Sequence, residues 1–94
     1  MIHVSGNEIY RGGKKIGNLR GNDVWSYDGN KMGYIEESAG DIFNSSGRKV
    51  AWLEGDYIRT VSDRNIRITE NNNYVSGGAL SSAYRAGIRI LLGD

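Results

Sequence analysis

The sequence predicts a mainly β fold in which four consecutive β-hairpins form a shallow, pseudo-fourfold barrel around one hydrophobic C-terminal helix. Three observations predict it. Similar segments recur four times along the chain, turn residues divide each segment into two halves, and the C-terminal residues change to helical spacing. The 94 residues also include 14 glycines and no proline, a composition that supplies tight turns and leaves backbone N–H groups free to pair.

The first strand of each hairpin carries the clearest part of the repeat. In each copy a turn residue precedes a large aliphatic residue and a second large side chain, and the copies lie 15 to 18 residues apart. The aliphatic residues are Ile9, Val24, Ile42 and Ile58. Short segments rich in β-branched and aromatic residues, bounded by turn residues, are typical of strands. The predicted hairpins cover residues 6–19, 21–35, 40–53 and 55–69.

The turn residues predict how the two strands of a hairpin pair. Asp28-Gly29 favours a two-residue type I′ turn, which places Val24 opposite Gly33 and Trp25 opposite Met32. Ser46-Gly47 occupies the same place in the third hairpin and pairs Ile42 with Ala51 and Phe43 with Val50. The first hairpin is one residue shorter, and a three-residue loop, Gly12-Gly13-Lys14, restores the pairing of Tyr10 with Ile16.

This register assigns two unlike faces to the hairpins, because side chains alternate along a strand. The first face is aliphatic with small residues between: Ile9, Val24, Ile42, Ile58, Leu19, Ile35 and Leu53, with Gly17, Gly33 and Ala51. The second is aromatic: Tyr10, Trp25, Phe43, Tyr34 and Trp52, with Ile16, Met32 and Val50. A row of glycine and alanine predicts the close approach of another backbone to the first face.

Residues 79–92 are predicted to form the C-terminal helix, whose backbone approaches the first face. At 100° per residue, Leu80, Tyr84, Ile88 and Leu91 form one apolar stripe, and small residues flank it. An interior glycine, Gly87, costs about 1 kcal/mol relative to alanine, which predicts a neighbour too close to tolerate a side chain. Residues 70–78, rich in asparagine and glycine, are predicted to be a flexible linker that contains the N-cap of the helix.

The repeated pattern resembles a known family. Gly-Asn/Asp-x-Ile-aromatic, a turn and Lys-Ile-Gly-aromatic-Leu, in about four copies from Asn7 to Ile68 before a hydrophobic helix, is similar to the bacterial four-fold β-flower proteins. The resemblance implies a ring of hairpins, distantly similar in shape to tubby C-terminal and scramblase-like domains, and no particular activity. The fourth unit departs from the pattern at Arg59, Asn65 and Arg67.

The composition argues against most kinds of catalytic and metal site. There is no cysteine and one histidine, His3, and the carboxylates are scattered over turns, so no catalytic site, metal site or cofactor is predicted. Twelve basic against eleven acidic residues do not favour nucleic acid. With no secretory signal or membrane span in the sequence, we expect a cytoplasmic, single-domain protein.

Two groups of residues are candidate binding sites. The repeated lysines Lys15, Lys31 and Lys49, with Arg85 and Arg89 of the helix, could hold a small anionic ligand, although lysines also guard exposed strand edges against aggregation and helix arginines can simply be solvated. The aromatic residues Tyr10, Trp25, Tyr34, Phe43 and Trp52 could form a surface for a protein partner, although such rings can equally fill gaps between hairpins.

The sequence therefore favours a non-enzymatic binding module that presents a symmetric basic and aromatic surface to a protein partner or a small anionic ligand. The alternatives are a structural protein that self-associates into a homo-oligomer through its aromatic face, and an immunity or antitoxin-like protein.

Overall fold

The structure, a computed structural model, describes residues 1–93. Within these residues ten strands form one open sheet: β1 (Ile2–Ser5), β2 (Glu8–Arg11), β3 (Lys14–Arg20), β4 (Asp23–Ser26), β5 (Lys31–Glu36), β6 (Asp41–Asn44), β7 (Lys49–Glu54), β8 (Tyr57–Thr60), β9 (Asn65–Arg67) and β10 (Val75–Ser76). The same residues contain two helices, α1 (Ile68–Tyr74) and α2 (Ser82–Leu92). The predicted mainly β fold with a C-terminal helix is confirmed.

The sheet is an antiparallel meander whose last strand returns to pair with its first. Strands β1 to β9 are neighbours in chain order, and β10 pairs in parallel with β1, with Ile2 opposite Val75. The four predicted hairpins correspond to β2–β3, β4–β5, β6–β7 and β8–β9. They also pair with one another, so that only β9 and β10, three and two residues long, form the edges of the sheet within residues 1–93.

The pairing within the hairpins differs from the prediction at one position in each of the first three. Val24 lies opposite Gly33 and Ile42 opposite Ala51, as predicted. However, a β-bulge then shifts the register, so that Tyr10, Trp25 and Phe43 face Lys15, Lys31 and Lys49 instead of Ile16, Met32 and Val50. A bulge places two residues of one strand opposite a single residue of its partner.

The predicted turn lengths are also wrong, in opposite directions. The first hairpin closes through two residues, Gly12 and Gly13, both with positive φ, as a type I′ turn requires. The second closes through three residues, Tyr27 to Gly29: Gly29 has a φ of 88°, and the Ser26 N–H donates to the Asn30 carbonyl at 2.8 Å. The third and fourth hairpins repeat this three-residue turn around Gly47 and Asp63.

The side chain at the start of each three-residue turn explains its stability. The side-chain oxygens of Ser26, Asn44 and Thr60 accept a hydrogen bond from the backbone N–H four residues later, at 3.3, 3.0 and 3.0 Å. Ser, Thr and Asn commonly satisfy turn backbone in this way. The equivalent residue of the first hairpin is Arg11, which cannot accept a hydrogen bond.

The bulges change which side chains share a face. Ile16 and Val50, predicted on the aromatic face, pack against the core instead, and Met32 lines a cavity together with Ile16 and Leu92. The lysines take their place beside the aromatic residues. The predicted aliphatic face is otherwise confirmed: Ile9, Val24, Ile35, Ile42, Ala51 and Ile58 are fully buried.

Helix α2 packs on this aliphatic face and contacts β4, β5, β6, β7 and β10. A Cβ placed on Gly33 would overlap the Phe43 carbonyl oxygen of the next strand and lie 2.8 Å from Leu91 Cδ2 of the helix. One on Gly17 would overlap the Trp25 carbonyl oxygen and lie 3.2 Å from Leu92 Cδ1. The predicted close approach of helix and hairpins is confirmed at both glycines. The helix begins at Ser82 and not at residue 79, because Ser81 is its N-cap and accepts a hydrogen bond from the Tyr84 N–H.

Residues 70–78 are not the flexible linker predicted. They contain most of α1 and all of β10, and α1 packs against β9, β10 and α2. Asn71 is fully buried there. The segment is ordered by contacts from distant parts of the chain, which its polar composition did not indicate.

Candidate functional site

The outer face of the sheet, which lies opposite α2, is built from a unit of four side chains repeated in three hairpins. Each unit combines a carboxylate, a lysine and two residues beside them in the pairing register. The units are Glu8, Lys15, Tyr10 and Asn18 in the first hairpin, Asp23, Lys31, Trp25 and Tyr34 in the second, and Asp41, Lys49, Phe43 and Trp52 in the third. The candidate aromatic residues and lysines therefore share one surface.

Each repeated lysine forms an ion pair with the carboxylate of its own hairpin. The Nζ–oxygen distances are 3.0 Å for Lys15 and Glu8, 3.4 Å for Lys31 and Asp23, and 3.5 Å for Lys49 and Asp41. These side chains are between about a quarter and a half exposed, so each pair contributes little to stability, roughly 0–1 kcal/mol. The pairs matter more for the charge of the surface, because a carboxylate balances the charge of each lysine.

The aromatic rings form contacts with one another and with the cations. Tyr34 and Phe43 stack with centroids 4.8 Å apart and planes at 10°. Lys31 lies 5.5 Å from the Tyr34 centroid, Lys49 lies 5.6 Å from that of Trp52, and Arg20 lies 4.5 Å from that of Trp25. The rings are half-buried. Cations thus cover faces of Trp25, Tyr34 and Trp52 that a stacking ligand would need.

The fourth hairpin replaces this unit with a different one. Tyr57, Arg67, Arg59 and Asn65 occupy the four positions, and Arg67 lies 5.2 Å from the Tyr57 ring centroid. The Arg59 Nε lies 3.1 Å from a carboxylate oxygen of Glu54 on the neighbouring strand. Arg59 and Arg67 thus occupy the two positions that are aromatic in the second and third hairpins, Tyr57 replaces the carboxylate and Asn65 replaces the lysine. A cation–aromatic contact is retained.

Arg85 and Arg89 do not join the lysines. Arg85 donates to the carbonyls of Val75, Gly77 and Gly78 at 2.8–3.0 Å. Arg89, only 7% exposed, donates to Asn71 Oδ1 at 3.3 Å and lies 3.9 Å from the Tyr74 ring centroid. The two arginines hold residues 71–78 against α2, whereas the predictions considered either a ligand site or solvation.

The lysines do not guard strand edges either. They lie on β3, β5 and β7, each of which is paired on both sides. The edge strands β9 and β10 are instead only three and two residues long. Short edge strands are a common protection against strand-to-strand aggregation.

A cavity of about 380 Å³, which the sequence did not predict, lies between the tips of the first two hairpins and the end of α2. Ile16, Met32 and Leu92 form its apolar part, and Arg11 and Asp28 bring one positive and one negative charge to it. The Arg11 guanidinium donates to the Gly93 carbonyl at the end of the helix. The signal in the sequence was Arg11 itself, which stands where the other hairpins have a turn-closing Ser, Asn or Thr.

Two titratable groups have shifted pKa values. A hydrogen bond from the Ser26 hydroxyl lowers the pKa of Asp28. Desolvation opposes this shift in part, and weaker hydrogen bonds from the Asp28 and Asn30 backbone and the Asn30 side chain add to it. Desolvation, and secondarily the charge of Glu37, raise the pKa of Tyr84, whose hydroxyl donates to Asn22 Oδ1. Asp28 therefore stays ionised and Tyr84 stays neutral at neutral pH.

Residues 1–93 contain no cluster of three or more His, Cys, Asp or Glu side chains arranged to hold a metal ion. In the same range, neither helix has the length and hydropathy that crossing a bilayer requires. Comparison with known proteins gave no match to a protein-family model, to a curated protein or to a solved structure.

Proposed function

We propose that this chain is a non-enzymatic binding module and that the outer face of the sheet contacts a protein partner. The observation that carries the proposal is the pairing of every repeated lysine with a carboxylate of its own hairpin. The pairs neutralise the three lysines and leave a surface rich in Trp, Tyr, Phe and Arg. Aromatic residues and arginine are the side chains enriched at protein interfaces.

The same observation favours a protein partner over a small anionic ligand, the two kinds of partner that the sequence suggested. A small anionic ligand would have to compete with Glu8, Asp23 and Asp41 for the lysine amines, and the three amines belong to separate hairpins. A stacking ligand would have to displace the cations that lie over three of the rings. A protein partner needs neither change, because it can contact the ring edges and exchange the half-exposed ion pairs for its own.

We also propose that the four hairpins form a pseudo-fourfold ring around α2, as the resemblance to the bacterial β-flower proteins implies. The contacts of α2 with β4 to β7 and with β10 support this arrangement, as does the packing of α1 on both edge strands. Self-assembly through the sheet edges has less support, because β9 and β10 are so short.

The proposal can be tested by capturing partners from native extract with the wild-type chain and with a Lys31→Glu/Lys49→Glu variant, followed by quantitative mass spectrometry. These changes leave two outer-face units with unbalanced negative charge. A protein that the variant loses and that a Lys14→Glu control retains would support the outer face as the contact surface. Circular dichroism of each variant checks that the fold is intact.

Equal capture by the wild type, the double variant and the control would contradict this surface. Stabilisation of the chain by nucleotides or sugar phosphates, lost in the double variant, would favour an anionic ligand over a protein. Light scattering at high concentration tests self-association directly, since a homo-oligomer that the double variant disrupts would identify a second copy of the chain as the partner.

A further inference from the structure

The cavity between the first two hairpins is distinct from the outer face. It lies on the side of the sheet where Leu92 ends α2, and its apolar part exists because the bulges turn Ile16 and Met32 inward. It is broadly open to solvent, and its volume, about 380 Å³, falls in the range of small-molecule sites. Such sites combine an apolar lining with a few polar groups that orient the ligand.

Arg11 is the first departure from the repeat at this cavity. Ser26, Asn44 and Thr60, its equivalents, each close a three-residue turn with a side-chain hydrogen bond. The first hairpin turns through Gly12 and Gly13 and does not need this bond. Arg11 is therefore not needed by the turn. It donates to the Gly93 carbonyl through Nη2 and brings its positive charge to the lining of the cavity.

Asp28 is the second departure. Its equivalents in the third and fourth hairpins are Ser46 and Ser62, which make the same local contact to the residue two positions earlier. Asp28 makes that contact with Ser26. A serine would satisfy the turn equally well, so the negative charge of Asp28 is not required by the hairpin, and it too lines the cavity.

From these two departures we infer that the cavity binds a small zwitterion with an apolar body, of which a hydrophobic α-amino acid is the simplest example. Arg11 receives the carboxylate, Asp28 receives the ammonium group, and Ile16, Met32 and Leu92 contact the aliphatic part. A ligand with a single charge would leave either Arg11 or Asp28 without an opposite charge. This inference does not depend on the proposed protein partner, which uses the opposite face.

The test is a titration of the ¹⁵N-labelled chain with L-leucine, L-methionine and the dipeptide Leu-Leu, followed by NMR. We expect saturable shifts in the amide signals of residues 12–16 and 26–32. N-acetyl-leucine lacks the cation and leucine amide lacks the anion, and both should bind at least tenfold more weakly than leucine. Stronger binding of the dipeptide would support the same site with a wider spacing of charges.

Variants connect the binding to the two charged residues. Arg11→Gln and Asp28→Asn should each weaken leucine binding by tenfold or more, and Arg11→Lys, which keeps the positive charge, should weaken it less. Arg48→Gln and Asp63→Asn are matched controls in the turns of the third and fourth hairpins and should bind as the wild type does. Amide spectra confirm that every variant is folded.

Two results would overturn the inference. The first is the absence of saturable shifts at the hairpin tips with all three zwitterions. The second is binding of N-acetyl-leucine or leucine amide as tight as that of leucine, together with an unchanged affinity in Asp28→Asn or Arg11→Gln. Either result would leave the proposed outer-face partner untouched.

Discussion

Gly87 of α2 lies against Ile35 of β5, so closely that a Cβ built on the glycine would overlap Ile35 Cγ1 and lie 2.6 Å from its Cδ1. Both residues are buried, and Ile35 is fully so. The glycine is therefore used for close approach and not for backbone flexibility. This contact sets the distance between the helix and the sheet.

Replacing Gly87 by alanine should destabilise the protein, although alanine is the better helix former by about 1 kcal/mol. Overpacking a buried contact costs about 1–3 kcal/mol, and the nearest atom, Ile35 Cγ1, is not the free end of its side chain, so we expect a net loss of about 2 kcal/mol. Urea denaturation measures it. The loss should shrink in an Ile35→Ala background, and an equal loss in both backgrounds would contradict this contact as its cause.

Gly33→Ala should be more damaging. A Cβ on Gly33 would overlap the Phe43 carbonyl oxygen and lie 2.8 Å from Leu91 Cδ2. A paired backbone carbonyl cannot rotate away, so we expect a loss of about 3 kcal/mol. Gly47→Asn is the control, because its turn position has open space and asparagine accepts positive φ. Comparable losses at both positions would contradict crowding by Phe43 and Leu91 as the cause of the loss at Gly33.

Arg89→Met should destabilise the protein by about 2–3 kcal/mol. It removes the donor to the buried Asn71 Oδ1 and the cation over Tyr74, and a buried acceptor without a partner costs about 1–3 kcal/mol. Arg20→Met, in which an exposed arginine over Trp25 is lost, should cost less than about 1 kcal/mol. Thermal and urea unfolding of both variants give the comparison, and equal losses would contradict the structural role of Arg89.

Stability should fall at alkaline pH in a way that depends on Tyr84. Burial raises the pKa of Tyr84 above its ordinary value of 10.0, so above that pH the unfolded chain loses the phenolic proton while the folded chain keeps it. The unfolded state is then favoured increasingly until the pH reaches the raised pKa. Urea unfolding between pH 8 and 11 should show a shallower decline for Tyr84→Phe, and identical slopes would contradict the shift.

Side-chain alternation and turn residues were sufficient to predict the four hairpins and their buried face. Val24 lies opposite Gly33 and Ile42 opposite Ala51 as predicted, because a strand with one buried face strongly specifies its register. Gly87 and Gly33 were also interpreted correctly as close contacts. A glycine in a helix interior or between aliphatic strand residues lowers stability, and a nearby backbone or side chain that leaves no room for a Cβ explains why it is there.

The bulges and turn lengths could not be predicted in the same way. Asp28-Gly29 is compatible with a two-residue turn and with the observed three-residue turn, and the choice depends on the side chain of Ser26 and on where the opposite strand accommodates an extra residue. That one choice moves Lys31 to the outer face and Met32 to the cavity. The ion pairs of the outer face and the apolar lining of the cavity both result from it.

The sequence by itself determined the repeat, the buried aliphatic face and the small residues that admit α2, because these depend on patterns within a few neighbouring residues. Only the tertiary structure decided the parts that join distant segments. Val75 pairs with Ile2, and the Arg11 guanidinium meets the carbonyl of Gly93. Such contacts depend on how the whole sheet curves and where α2 ends, and no local pattern encodes either.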